Sequence, residues 1–197
     1  MLHTWLSTTR LALLAVAAAS APLAAQQTAT PAAQPPLAAA VPPANPADVA
    51  SPEALTRALY DVISGPAAQP RDWDRLRSLF YPGARLLYAQ TTPAGEELLH
   101  PMTVEDFIRI VTPIYASGGG FWEQDIGHRI ERFGNVAHVF TAYETRRSGP
   151  DGPVVARGIN SFQMVRHEGR WWVANIAWDT ERPGNPIPPE FLGSRRE

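Results

Sequence analysis

The chain has 197 residues, 17 basic against 19 acidic side chains, a formal net charge of -2 and no cysteine. That length suits one domain with a sizeable core, not a two-domain enzyme. The near-neutral balance gives no field that would select nucleic acid or an anionic membrane, and the absence of cysteine excludes disulfides, thiolate nucleophiles, cysteine-ligated zinc, iron-sulfur clusters and a lipidated cysteine.

All 17 basic residues are arginine, which with the abundant Ala, Pro and Gly points to a GC-rich bacterial genome. Residues 1–25 run from a polar start ending in Arg10 through the apolar stretch Leu11 to Ala19 to small residues around Leu23, Ala24 and Ala25. That is the pattern of a cleavable signal peptide, with Gln26 as the new start. Ser20 and Pro22 cut the apolar run short of the about 20 residues a membrane span needs, so the expectation is a periplasmic or secreted chain without a stable membrane anchor. Residues 26–50 hold 9 Ala, 6 Pro and Asp48 as the only charge, and read as an extended linker.

The folded domain is expected over 51–182. Ser51-Pro52-Glu53 is an N-cap, a first-turn proline and a first-turn acid. Leu55, Ala58, Leu59, Val62 and Ile63 then recur at helical spacing until Gly65-Pro66. A second helix fits Asp72 to Phe80, and Tyr81-Pro82-Gly83 turns into a first strand, Ala84 to Gln90. A short strand near Leu98 to Met102 follows. Thr103 to Asp106 resembles a capping box, opening a third helix that Pro113 should kink or end.

Four long strands come next, 122–133, 136–147, 154–166 and 171–179, joined as consecutive antiparallel hairpins. The Pro-rich tail, 183–197, wraps or frays. Two helices, two short strands, a third helix and four long strands make an α+β arrangement whose sheet is covered by helices on one face.

Several stretches of the last strands carry a family resemblance: Gly158-Ile159-Asn160-Ser161-Phe162-Gln163-Met164-Val165-Arg166, then Glu168-Gly169-Arg170-Trp171-Trp172-Val173, closing on Trp178-Asp179. Together with the element order they resemble the terminal hairpin of the nuclear transport factor 2-like superfamily, which includes SnoaL-like polyketide cyclases and ketosteroid isomerases. The resemblance covers roughly Ser51 to Glu181. It implies a cone-shaped, cystatin-like fold: three helices on a strongly curved, mainly antiparallel sheet of about six strands, with a pocket between the helices and the concave face.

Fold does not carry function here. The resemblance to ketosteroid isomerases implies a proton-moving carboxylate near the start of the first strand, but Tyr88 stands in that place and Ala84 to Thr92 contains no Asp or Glu. Proton-shuttle isomerisation of that kind is not expected, although Tyr60 matches the helix tyrosine of those enzymes.

In Trp122 to Arg132 the even positions Trp122, Ile126 and Ile130 are apolar and the odd positions Glu123, Asp125, Arg129 and Glu131 are charged, so one face is expected buried and the other wet. That phase sets His128 on the apolar face, either as a core histidine tied to a polar neighbour or as an acid, base or donor in a pocket. Trp171 to Asp179 is apolar on both phases: Trp171, Val173 and Ala177 on one, Trp172, Ala174, Ile176 and Trp178 on the other. A strand covered on both faces needs helices on one side and a second sheet, the tail or another subunit on the other, and a homodimer through the outer face is the expectation. Asp179, at the strand end, is either a catalytic acid or a solvated turn residue.

The histidines show no metal-ligand spacing, and there is no nucleophile elbow or phosphate loop, so no metal or cofactor is expected. The function that follows is binding of a small apolar or aromatic molecule in a pocket lined by Tyr60, Trp73, Tyr88, Tyr115 and His128. The alternatives are a SnoaL-like acid-base enzyme on a polycyclic or carbonyl substrate, with His128, Asp179, Tyr88 or Tyr60 as donors, and a structural or interaction module. Two titratable side chains meeting at the pocket floor favour the enzyme; a wholly apolar floor favours binding or packing.

Overall fold

Three helix starts obey their local sequence in the computed structural model, which describes residues 41–192 and the backbone of 195–196. The expected signal peptide and the first part of the expected linker lie outside the described residues. Helix α1 is Pro52–Ile63, with the Ser51 hydroxyl accepting from the Ala54 amide at 3.1 Å. Its stripe of Leu55, Ala58, Leu59 and Val62 is buried. Helix α2 is Trp73–Leu79, capped by Asp72 accepting from Arg75 N at 2.8 Å. Helix α3 is Val104–Tyr115, and its capping box is complete: Asp106 N donates to Thr103 Oγ1 at 3.1 Å and Thr103 N to Asp106 Oδ2 at 3.2 Å. The helix runs through Pro113 to Tyr115. A proline so near the end leaves only one preceding carbonyl without its helical donor.

The strands are β1 Phe80–Thr91, β2 Glu97–Met102, β3 Trp122–Phe133, β4 Val136–Arg146, β5 Val154–His167 and β6 Arg170–Thr180. They form one mixed sheet in the order β2-β1-β6-β5-β4-β3, with a two-residue strand, Arg195–Arg196, alongside β3. Among the six, only β1 and β6 run parallel. Strand β1 starts earlier than Ala84 because a register shift between Phe80 and Arg85 absorbs Tyr81-Pro82-Gly83 within the strand. Helix α1 packs on β3 and β6, and α3 on β1 and β2. Three helices on a six-stranded mixed sheet is the α+β, cystatin-like arrangement expected.

Two irregularities overturn the simple alternation of the strands. In β3, Asp125 pairs with Tyr143 and Gly127 with Ala142, so Ile126 has no partner and the phase inverts there. Glu123 and Asp125, expected on the wet face, therefore point to the same side as Thr145 and Thr141, towards the helices, while Trp122 pairs with Arg146 on the other face. His128 and Ile130 remain inward because they lie beyond the bulge. In β6, Gln163 pairs with Asn175 but Met164 with Val173, leaving Ala174 unpaired. Trp171, Val173, Ile176 and Trp178 consequently meet the core, and Trp172, Ala177 and Asp179 face away. This corrects the expected split of that strand.

The folded unit also reaches further than 51–182. Ala44 packs on the core, Val49 is buried and its carbonyl accepts from Trp171 N at 3.0 Å, and Asp48 pairs with Arg75 at 2.8 Å. Residues 44–50 are thus part of the domain and not of a linker. In the tail, Ile187 is buried, its amide donating to Glu181 Oε1 at 3.1 Å, and the Phe191 ring lies 5.1 Å from that of Phe140. With Pro186 and Pro188, Ile187 borders a shallow cleft against Ile159 and Ala177. Over these residues the outer sheet face is covered by the tail.

Candidate functional site

A cavity of about 270 Å³ lies between the helices and the inner sheet face. Helix α1 contributes Leu59, Tyr60 and Ile63; α3 contributes Phe107, Val111 and Tyr115; the sheet contributes Tyr143, Phe162, Ile176 and Trp178. These are the inward positions of elements whose hydrophobic stripes must be buried, so the apolar wall follows from ordinary amphipathicity. Among the described residues no Arg or His lines the cavity, and the one charged-type side chain is Glu123.

Glu123 reaches the interior because the bulge at Ile126 inverts the strand. It is half-buried and borders both this cavity and a polar cleft between α1 and β3. Its Oε2 accepts from Thr145 Oγ1 at 3.0 Å. Loss of hydration on burial pushes its carboxyl from 4.5 up to about 7, although the Thr145 hydroxyl and the Asn160 amide pull it back. Glu144, also buried, is answered by Arg146 and Arg157, which hold its carboxyl below the usual range despite burial. Among the described residues Glu123 has no such ion pair.

Behind the cavity runs a hydrogen-bond chain whose direction is fixed by its end. Asp125 only accepts: Oδ2 from His128 Nδ1 at 2.5 Å, and Oδ1 from Thr141 Oγ1 at 3.0 Å and Gly127 N at 2.8 Å. Thr141, having given its proton to Asp125, accepts from the Tyr60 hydroxyl at 3.3 Å. Tyr60 in turn accepts from Asn160 Nδ2 at 3.1 Å. The Tyr60 hydroxyl is thus held by Asn160 and Thr141, its proton committed to Thr141. Burial, and the nearby Glu123 charge, raise the pKa of Tyr60, Tyr115 and Tyr143, so all three are neutral phenols at neutral pH.

The structure brings together only part of the expected lining. Tyr60 and Tyr115 border the cavity. Trp73 does not: it packs on the core and lies behind Tyr115, ring centroids 6.3 Å apart. Tyr88 lies between Trp178 and His100, at 5.4 and 5.7 Å, so Trp178 takes the wall position and Tyr88 backs it. His128 borders a different, polar cleft between α1 and β3, with Glu53, Arg57 and Asp61. Its Nδ1 is held by Asp125, while its buried Nε2 has no partner among the described residues.

Neither catalytic candidate reaches the cavity. Asp179 sits on the outer face, where Oδ1 accepts from Arg182 at 2.7 Å and Oδ2 from Asn185 at 3.4 Å, anchoring the start of the tail. The residues that sequence reasoning missed are Glu123, Tyr143, Thr145 and Asn160. One local signal for Glu123 existed: Gly127 within a strand pattern marks a bulge. The floor therefore fits neither of the two expected extremes, since one carboxyl faces it and the titratable pair in hydrogen-bond contact, Asp125 and His128, stands behind it.

Neither a described protein family nor a curated protein matches the sequence. Solved structures do resemble the chain. A protein of unknown function with a cystatin-like fold from Nostoc punctiforme is 11% identical, with 64% of this chain and 86% of that one aligned and a TM-score of 0.49. A nuclear transport factor 2-like protein of unknown function from Silicibacter pomeroyi is 16% identical over 66% of this chain and 92% of that one, TM-score 0.44. Another from Shewanella baltica is 16% identical over 67% and 98%, TM-score 0.43. Overlap at this level lends nothing to function; strand order and helix placement define the architecture.

Proposed function

We propose, for a chain with the nuclear transport factor 2-like, cystatin-like fold, that the cavity binds a small, largely apolar molecule whose one polar group is met by Glu123. The observation that carries this is a mainly apolar cavity, walled by aromatic and aliphatic side chains, with a single carboxyl that has no ion-pair partner among the described residues. Aromatic and aliphatic walls supply affinity, and one or two placed polar groups supply orientation. The same proposal sets this binding outside the cytoplasm, a reading supported by the signal-like pattern of the first 25 residues. The test is displacement of a neutral aromatic fluorophore, N-phenyl-1-naphthylamine, from the full chain and from Val111→Trp, which fills the cavity. Binding that survives the filled cavity refutes the site.

A second reading, acid-base chemistry on a carbonyl compound, is favoured by the Glu123 carboxyl lying near neutrality, where it both takes and gives a proton. It requires that a bound ketone exchange its α-hydrogens for deuterium, and that Glu123→Gln stop the exchange. Unchanged ketone leaves the binding reading alone.

A further inference from the structure

Glu123 stands out because no ion pair among the described residues balances it. Buried carboxylates without a partner are costly, and the other buried one, Glu144, has two arginines beside it. Arg57 and Arg146 line the polar cleft that Glu123 also borders, Arg146 being engaged by Glu144 and the Gly152 carbonyl, and two more guanidinium groups lie on the far side of the cavity wall. Arg71 is 5.7 Å from the Tyr115 ring centroid and Arg147 is 5.5 Å from that of Phe121. Backbone carbonyls hold both: Ile63, Pro66, Gln69 and Gly65 take the Arg71 N–H groups, and Gly120 takes Arg147 at 2.6 Å. Neither turns to Glu123.

The hydrogen-bond donors around Glu123 come from Thr145 and Asn160, which orient the carboxylate without cancelling its charge. Three phenols, Tyr60, Tyr115 and Tyr143, stand close enough for the Glu123 charge to oppose their ionisation. The faces of Tyr115 are taken by Phe121 and Arg71, so it is the carboxylate that repels an anion from this apolar site and draws a cation to it.

We propose that the cavity's ligand is an organic cation: a protonated or alkylated amine on a compact apolar body, with its nitrogen against the Glu123 carboxylate among the tyrosine rings. This rests on the reading that the cavity binds a small molecule. It adds what that reading leaves open, the sign of the ligand's charge. A neutral apolar ligand leaves the carboxylate uncompensated, and an acid adds a second like charge in a poorly hydrated space.

The experiment uses four probes of similar size against the full chain at about pH 8, each displacing N-phenyl-1-naphthylamine. They are N,N-dimethylbenzylamine, its carbon isostere isobutylbenzene, 2-phenylethanol and phenylacetate. The amine is expected to bind more tightly than isobutylbenzene by about tenfold or more. Glu123→Gln is expected to erase that preference while retaining isobutylbenzene. If Glu123→Gln binds nothing, Glu123→Asp decides: it keeps the charge, and loss of the amine preference there overturns the assignment. Equal affinity for amine and isostere, or tightest binding of phenylacetate or 2-phenylethanol, also overturns it, leaving the cavity as a binding site of another kind. Failure of every probe and of the fluorophore removes the cavity-binding reading itself.

Discussion

Replacing Glu123 by glutamine should make the protein more stable, and only at neutral to alkaline pH. In the folded chain the carboxyl titrates near 7, against 4.5 when hydrated, because burial disfavours its charged form. Between these values the folded state holds a proton that the unfolded state has released, so stability falls as pH rises through the window. At about 1.36 kcal/mol per pH unit, the full displacement corresponds to about 3 kcal/mol. Hydration through the open side of the cavity reduces this, and about 2 to 3 kcal/mol is expected. Below pH 4.5 the acid is neutral in both states and glutamine is a near match in shape. Urea unfolding of parent and Glu123→Gln, followed by tryptophan fluorescence at several values between about pH 4.5 and 8, isolates the effect as a difference, in which other titrating groups cancel. The variant's advantage should be near zero at the acid end and reach its maximum by about pH 8. A difference that stays flat across the range, or favours the parent as pH rises, refutes the buried, unpaired carboxylate.

Three further outcomes follow from packing. Gly158→Ala places a Cβ 2.2 Å from the Asp179 carbonyl and 2.5 Å from the Tyr143 hydroxyl; urea unfolding should show a loss of about 1 to 3 kcal/mol from overpacking. His128→Ala removes one partner of Asp125 and should lower stability by about 1 to 3 kcal/mol, yet leave fluorophore affinity unchanged, because His128 borders the neighbouring cleft. A chain beginning at residue 43 should melt like the parent, whereas one beginning at 51 should lose about 1.5 to 3 kcal/mol with the burial of Val49 alone; calorimetry of the two truncations distinguishes a packed segment from a linker.

The elements and their order were legible from local chemistry along the chain. Ser51, Asp72 and Thr103 cap helices through hydrogen bonds to residues three positions on, and such signals are complete within one turn. The hairpins were legible for the same reason, since turn residues and alternation act locally. The inward phase of Tyr60 and Tyr115 also followed from helical periodicity. What failed was everything that depended on pairing partners: the burial of Val49 against β6, the seating of Ile187 on the outer face, and the contents of the cavity. Strand β3 shows why. Its charges at Glu123 and Asp125 are spaced as a wet face should be, and although Gly127 marks a bulge nearby, it is the register against β4 that leaves Ile126 as the extra residue and turns both carboxylates inward. A one-residue slip exchanges the two faces of a strand, and which residue is left unpaired is fixed by the neighbouring strand's side chains, not by the strand's own.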